Sequence, residues 1–170
     1  MAVLLTGASG FVGRALLKIA HHRGLEVRPV FRSAETANGH PAAIYMPEID
    51  FASDWANAFE GVDVIIHTAA RAHIMREQVL DPLAEYRRVN VEGTINLARQ
   101  AAEAGVNRFV FISSIKVNGE STTLGHPFTA DDIHAPEDFY GLSKSEAEVQ
   151  LYQVAKDTGM ELTIIRPPLI

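Results

Sequence analysis

The chain contains no cysteine, which removes disulfides, thiolate metal sites and cysteine nucleophiles at once. It has no run of Lys and Arg, and its formal net charge is −6. A nucleic-acid binder or a membrane-surface protein would depend on clustered cations, so no nucleic-acid and no membrane partner is expected. No apolar stretch approaches the ~20 residues of a membrane span. The opening run Val3–Leu5 is too short for a signal sequence and leads straight into glycines. The histidines, seven in all, are His21, His22, His40, His67, His73, His126 and His134. None shares a helix or strand face with a carboxylate or second histidine at metal-ligand spacing, so no metal site is expected. What remains is 47% apolar and 21% charged over 170 residues, the balance of one soluble globular domain. A cytoplasmic location is expected.

Short apolar runs rich in β-branched residues alternate with longer helical patterns. Strands are expected at Val3–Leu5, Val27–Phe31, Ala43–Met46, Val62–Thr68, Arg108–Ser113 and Leu162–Ile165. Helices are expected over Phe11–His22, from Pro82 to Ala101 and over Phe139–Thr158. Ser53 suggests an N-cap for a short helix reaching Phe59. Gly24, Gly105 and Gly159 each stand between a helical pattern and the next strand. Glycine there supplies the left-handed residue that closes a helix. The alternating order implies an α/β fold with a doubly wound parallel sheet, of the Rossmann NAD(P)-binding type.

Thr6-Gly7-Ala8-Ser9-Gly10-Phe11-Val12-Gly13 follows the first strand and opens the first helix. Gly7 would permit the tight turn, Gly10 the approach of a pyrophosphate, and Gly13 close packing of helix on sheet. Free N–H groups and the helix dipole would then favour the phosphates. A glycine triplet alone is weak; its strand–loop–helix setting is what gives it meaning.

That loop resembles the extended short-chain dehydrogenase/reductase family, in its nucleotide-sugar epimerase, dehydratase and reductase branch. Further stretches resemble the family in the same order. They are His67-Thr68-Ala69-Ala70, Asn90, Ser113-Ser114, Tyr140-Gly141-Leu142-Ser143-Lys144 and Arg166-Pro167-Pro168. The resemblance implies an enzyme in which Ser114, Tyr140 and Lys144 are catalytic. It implies NAD or NADP held by Gly7, Ser9, Gly10, Phe11, Val12, Gly13, Arg32, Asp50, Phe51, Thr68, Ala69, Ala70, Tyr140, Lys144 and Pro167. Asp50 and Phe51 match the pair that meets the adenine. A Tyr hydroxyl titrates near ~10, and Lys144, one helical turn on, is expected to favour the phenolate. Ser114, rather than Ser113, would hold the substrate oxygen, since it opens the family's Ser-x-x-Val-x-Gly pattern. Standing alone, Tyr-x-x-x-Lys would read as an amphipathic helix.

Departures from the family narrow the reaction. Dehydratases acting at C4 and C6 carry Thr-Asp-Glu where this chain has Ser114-Ile115-Lys116. Ile115 cannot move a proton and Lys116 has the wrong charge, which disfavours that elimination. Epimerases usually continue with a small or hydroxyl residue and Val-Tyr-Gly. Ser114-Ile115-Lys116-Val117-Asn118-Gly119 looks more like bacterial reductases of UDP-4-keto-6-deoxy-N-acetylhexosamines in surface-polysaccharide synthesis. Expected, then, is 4-keto reduction or C4 epimerisation of a nucleotide sugar, with Lys116 either pairing with substrate or solvated. The second strand ends in Arg32 without the acid that reads a ribose 2′-OH, which favours NADP over NAD. The resemblance allows a homodimer. The sequence ends at Pro168-Leu169-Ile170, where relatives continue into a substrate lobe. The chain is therefore expected to be the N-terminal part of a longer protein. The competing reading is a truncated cofactor-binding module without turnover of its own.

Overall fold

The structure, a computed structural model, describes residues 2–72 and 80–168. His73, Leu169 and Ile170, named above, lie outside them. The six expected strands are β1 Ala2–Thr6, β2 Glu26–Phe31, β3 Ile44–Tyr45, β4 Val62–His67, β5 Arg108–Ile112 and β6 Glu161–Ile165. All pair in parallel in one sheet ordered β3-β2-β1-β4-β5-β6. The helices are α1 Phe11–His22, α2 Ala34–Ala37, α3 Pro82–Arg87, α4 Thr94–Glu103 and α5 Phe139–Thr158. The strand order reverses between β1 and β4, so the segments leaving these two strands diverge and open a crevice.

Alternation along the strands builds a core on each face. Leu4, Val30 and Ile65 pack with Trp55, Leu97, Phe109 and Leu151 on one side. Their neighbours Leu5, Phe31 and Ile66 pack with Leu16 and Leu17 of α1 on the other. Each fully buried side chain of this size contributes ~1.5–3 kcal/mol of transfer free energy. Gly24, Gly105 and Gly159 do adopt left-handed backbone, with φ of 64°, 82° and 77°.

Three local features differ from the pattern in the sequence. Ser53 caps no helix: its hydroxyl donates to the Glu48 carbonyl and to Asp50, and only a single tight turn follows at Ala56–Ala58. The one-turn α2 was not legible; Ser33 and Thr36 close it with a reciprocal capping box. The helix begun at Pro82 is interrupted at Arg88–Gly93 by a widened π turn. Gly93 there lies so close to Ile49 that an added Cβ would sit 2.7 Å from the Ile49 carbonyl oxygen. Widening inserts residues into the turn, and buried Asn90 points from it toward the crevice loops.

Candidate active site

The β1–α1 loop is shaped by what it touches. Gly7 has φ +69°, and a Cβ on it would lie 2.6 Å from both the Ala69 nitrogen and the Thr68 hydroxyl. The loops after β1 and β4 therefore meet only through glycine. Thr6 and Thr68 lace them together: the Thr68 hydroxyl donates to the Thr6 carbonyl at 2.7 Å. Behind them His67, wholly buried, bonds Thr6 through Nδ1 at 2.7 Å and Thr94 through Nε2 at 3.0 Å. Burial, assisted by the charge on Lys144, lowers its pKa to about 3, so the imidazole is neutral. Gly13 packs against the segment that leaves β1. A Cβ there would collide with the Gly7 carbonyl oxygen and lie 2.8 Å from the Ala8 Cα.

Gly10 differs from both. Its φ is −73°, and an added Cβ would meet only the Gly7 oxygen, at 3.2 Å. It faces a cavity of about 330 Å³ lined by Gly7, Ser9, Arg32, Thr68, Ala69 and Ala70 among others. No side chain caps α1 at this end. A cradle of glycines, bare helix N–H groups and small residues fits a dinucleotide pyrophosphate. Arg32 stands exposed at the mouth. Asp50, Phe51 and Phe11 do not line the cavity: Phe51 and Phe11 are 69% and 72% exposed. Asp50 receives the Ala52 nitrogen and the Ser53 hydroxyl, and pairs with Arg88 at 3.4 Å.

Thr68 and Ala70 also line a second cavity, of about 320 Å³, with Val12, Ser114, Lys116, Tyr140, Lys144 and Pro167. Ser114 and Tyr140 thus come together although 26 positions separate them in sequence. Ser113 borders the same cavity but is buried, with its hydroxyl donating to Glu148. Ser114 opens the tight turn Ile115–Val117 and accepts from the Lys116 nitrogen at 3.3 Å. Lys144 is 1% exposed, and its Nζ lies 4.2 Å from the Phe111 ring centroid. Burial lowers its pKa to about 7, against the pull of Glu148. Tyr140 is half-buried, with its ring edge-on to Tyr86. Its pKa is raised, first by burial and then by Asp138, and the cation opposing this is Lys116. The sequence pointed to Lys144 for that role.

Three further groups support the site: Asn90, which the resemblance had already singled out, and Glu148 and Gly141, whose roles the sequence reading missed. Asn90 donates to the Arg71 carbonyl at 3.0 Å and to Ser143 at 2.9 Å, tying the β4 loop to α5. Glu148, fully buried, binds Arg166 and Ser113. Gly141 seats the start of α5 on the Lys116 carbonyl, which an added Cβ would approach to 2.8 Å. A glutamate one turn after the lysine, on the same helix face, was the available signal for Glu148.

These features define a Rossmann-type dinucleotide-binding domain with a serine, tyrosine and lysine gathered at its switch point. Residues 3–170 match the NAD dependent epimerase/dehydratase family. The chain belongs to that family. It is 47% identical to a UDP-glucose 4-epimerase of Vibrio cholerae over 99% of this chain and 52% of that one. It is 36% identical to a 3-beta-hydroxysteroid dehydrogenase of Mycolicibacterium neoaurum, over 97% and 46%. Among solved structures it resembles a short-chain dehydrogenase/reductase superfamily protein from Agrobacterium tumefaciens with bound NAD. That match has a TM-score of 0.83 and 29% identity, over 98% of this chain and 48% of that one. A Thermus thermophilus UDP-glucose 4-epimerase complex with NAD gives 0.83 and 25%, over 98% and 54%. The chain spans about half the length of the curated relatives it matches.

Proposed function

We propose that this chain is the cofactor-binding and catalytic half of an NAD(P)-dependent enzyme that epimerises a UDP-sugar at C4. The observation that carries this is the shared cavity: Ser114, Tyr140 and Lys144 line the space that Thr68 and Ala70 connect to the glycine cradle. The 47% identity to a UDP-glucose 4-epimerase favours the nucleotide-sugar class over the steroid class at 36%. When bound, the nicotinamide supplies hydride exchange. The Ser114 hydroxyl holds the sugar oxygen by a hydrogen bond. Tyr140 Oη takes the hydroxyl proton as the carbonyl forms and returns it as the hydroxyl is rebuilt. Lys144 anchors the ribose side of the cofactor, and Arg32 favours NADP. A role in surface-polysaccharide synthesis and a homodimer belong to the same proposal.

Reduction of a UDP-4-keto sugar is the second reading, favoured by the Ser114-Ile115-Lys116 stretch beside the cavity. The full-length protein, assayed with UDP-glucose and with a UDP-4-keto-6-deoxy sugar, separates the two. Epimerisation leaves the nicotinamide unconsumed, whereas reduction oxidises one NAD(P)H per sugar. Tyr140→Phe should cut either rate by about 10²-fold or more. No turnover on either class, with cofactor still bound, would leave a binding module in place of an enzyme.

A further inference from the structure

Lys116 departs from the family pattern at a position that lines the reaction cavity. Its ammonium is held by carboxylates, with Nζ 2.6 Å from Asp138 Oδ2 and 2.7 Å from Glu120 Oε1. That geometry makes it a poor partner for substrate, because two acids already neutralise it. Asp138 is also the N-cap of α5: its Oδ1 accepts from the Gly141 nitrogen at 2.6 Å. Tyr140 lies between Asp138 and Gly141 in sequence, so a carboxylate sits at the foot of the very turn that carries the phenol. The Lys116 carbonyl approaches the same turn, and only glycine at 141 leaves room for it.

We propose that Lys116 is a positioning residue that acts through Tyr140, neutralising the helix-capping Asp138 and so easing release of the phenolic proton. A bare Asp138 would repel the phenolate, and capping α5 with an acid would work against the chemistry at Tyr140. Lys116 resolves that conflict, keeping the cap while cancelling its charge. Among the described residues, Lys144 on the same helix lines the cavity with Tyr140, and the Tyr86 ring of α3 meets the phenol. The Arg71 guanidinium lies 5.7 Å over the Tyr86 ring, and Glu120 lies beyond Lys116. The inference rests on the reading of Tyr140 as the proton carrier.

The test is an ultraviolet difference titration of the phenols in the full-length protein without cofactor or substrate. Subtracting a Tyr140→Phe control isolates Tyr140. In Lys116→Gln the Tyr140 titration should move up by about one unit or more, and in Asp138→Asn it should move down. Lys116→Arg should restore the wild-type position. Asparagine still caps a helix, so the second variant reports even if the first does not fold. A Tyr140 titration that stays in place in either folded variant overturns the proposal. Because no turnover is read, this result stands apart from the rate of Tyr140→Phe, which tests the reaction itself.

Discussion

Glu148 grips Arg166 with both carboxylate oxygens, taking Nε at 3.0 and 3.1 Å and Nη2 at 2.6 Å. The pair joins the middle of α5 to the end of β6. Arg166 goes on to donate to Asn118 at 3.2 Å and to the Ala130 carbonyl at 3.3 Å. It also meets His134 Nε2 at 2.6 Å. A guanidinium has only donors, so His134 Nε2 accepts, and the ring proton sits on Nδ1 facing Ser145. One buried carboxylate therefore anchors the segment before Ser114, the helix bearing Lys144 and the strand end before Pro167.

Glu148→Gln should cost ~3–5 kcal/mol of stability, because it leaves Arg166 without its counter-charge. Glu148→Gln with Arg166→Met should cost less than the sum of the two single changes. Urea unfolding of the three variants checks this. Additive losses would show that the two side chains contribute independently.

Lys144 gives stability a distinct pH dependence. Its pKa in the fold, about 7, lies below the ~10.4 of an unfolded chain. Between these values the unfolded state binds more protons, so this group's contribution improves as pH rises through the window. Below pH 7 the folded state carries the full cost of a buried ammonium. Lys144→Met should therefore stabilise the cofactor-free protein most at pH 6, and much less at pH 10. Thermal melts at both values test the sign, and an equal effect at the two would place the ammonium in contact with water.

The fold was legible because its signals are local. Strand alternation, three glycine caps and the β1 glycine loop each follow from a few adjacent residues. Tyr140, Lys144 and Ser114 could be named because the short motifs that carry them resemble those of the family. What escaped depends on contacts between distant segments. The π turn at Arg88–Gly93 is bound up with Gly93 lying on Ile49, and Ser53 is diverted by Glu48 and Asp50. The place of Lys116 beside Tyr140 escaped for the same reason. Lys144 is near in sequence, whereas Lys116 arrives from another loop 24 residues away.

The three glycines of the loop should separate by function. Gly13→Ala forces a methyl into the Gly7 carbonyl, and strain of that kind costs ~1–3 kcal/mol or more. Gly10→Ala needs a shift of only tenths of an ångström and keeps an ordinary backbone angle. Its methyl should leave the melting temperature nearly unchanged while lowering cofactor affinity at least tenfold. Melting curves and calorimetric titration together decide. A Gly10→Ala protein that binds as well as wild type would move the pyrophosphate away from this loop.

Arg32 is the residue on which the choice of nicotinamide turns. It follows β2 directly, is exposed, and lines the cavity that Gly7 and Gly10 open. No carboxylate takes its place at the strand end to receive a ribose 2′-OH. Glu48, the acid in the adjoining cavity, is paired with Arg88 at 3.2 Å. A guanidinium fork binding a phosphate is worth ~1.5–3 kcal/mol, or about ten- to a hundredfold in affinity. NADP should therefore bind more tightly than NAD by a factor of that order. Arg32→Ala should remove the difference by weakening NADP and leaving NAD unchanged, since NAD offers no phosphate there. Raising salt should narrow the gap as well, because the site is open to solvent. Calorimetric titration of both cofactors into both proteins measures each term. Equal affinities before and after the substitution would show that Arg32 does not read the ribose, and the preference for NADP would fall with it.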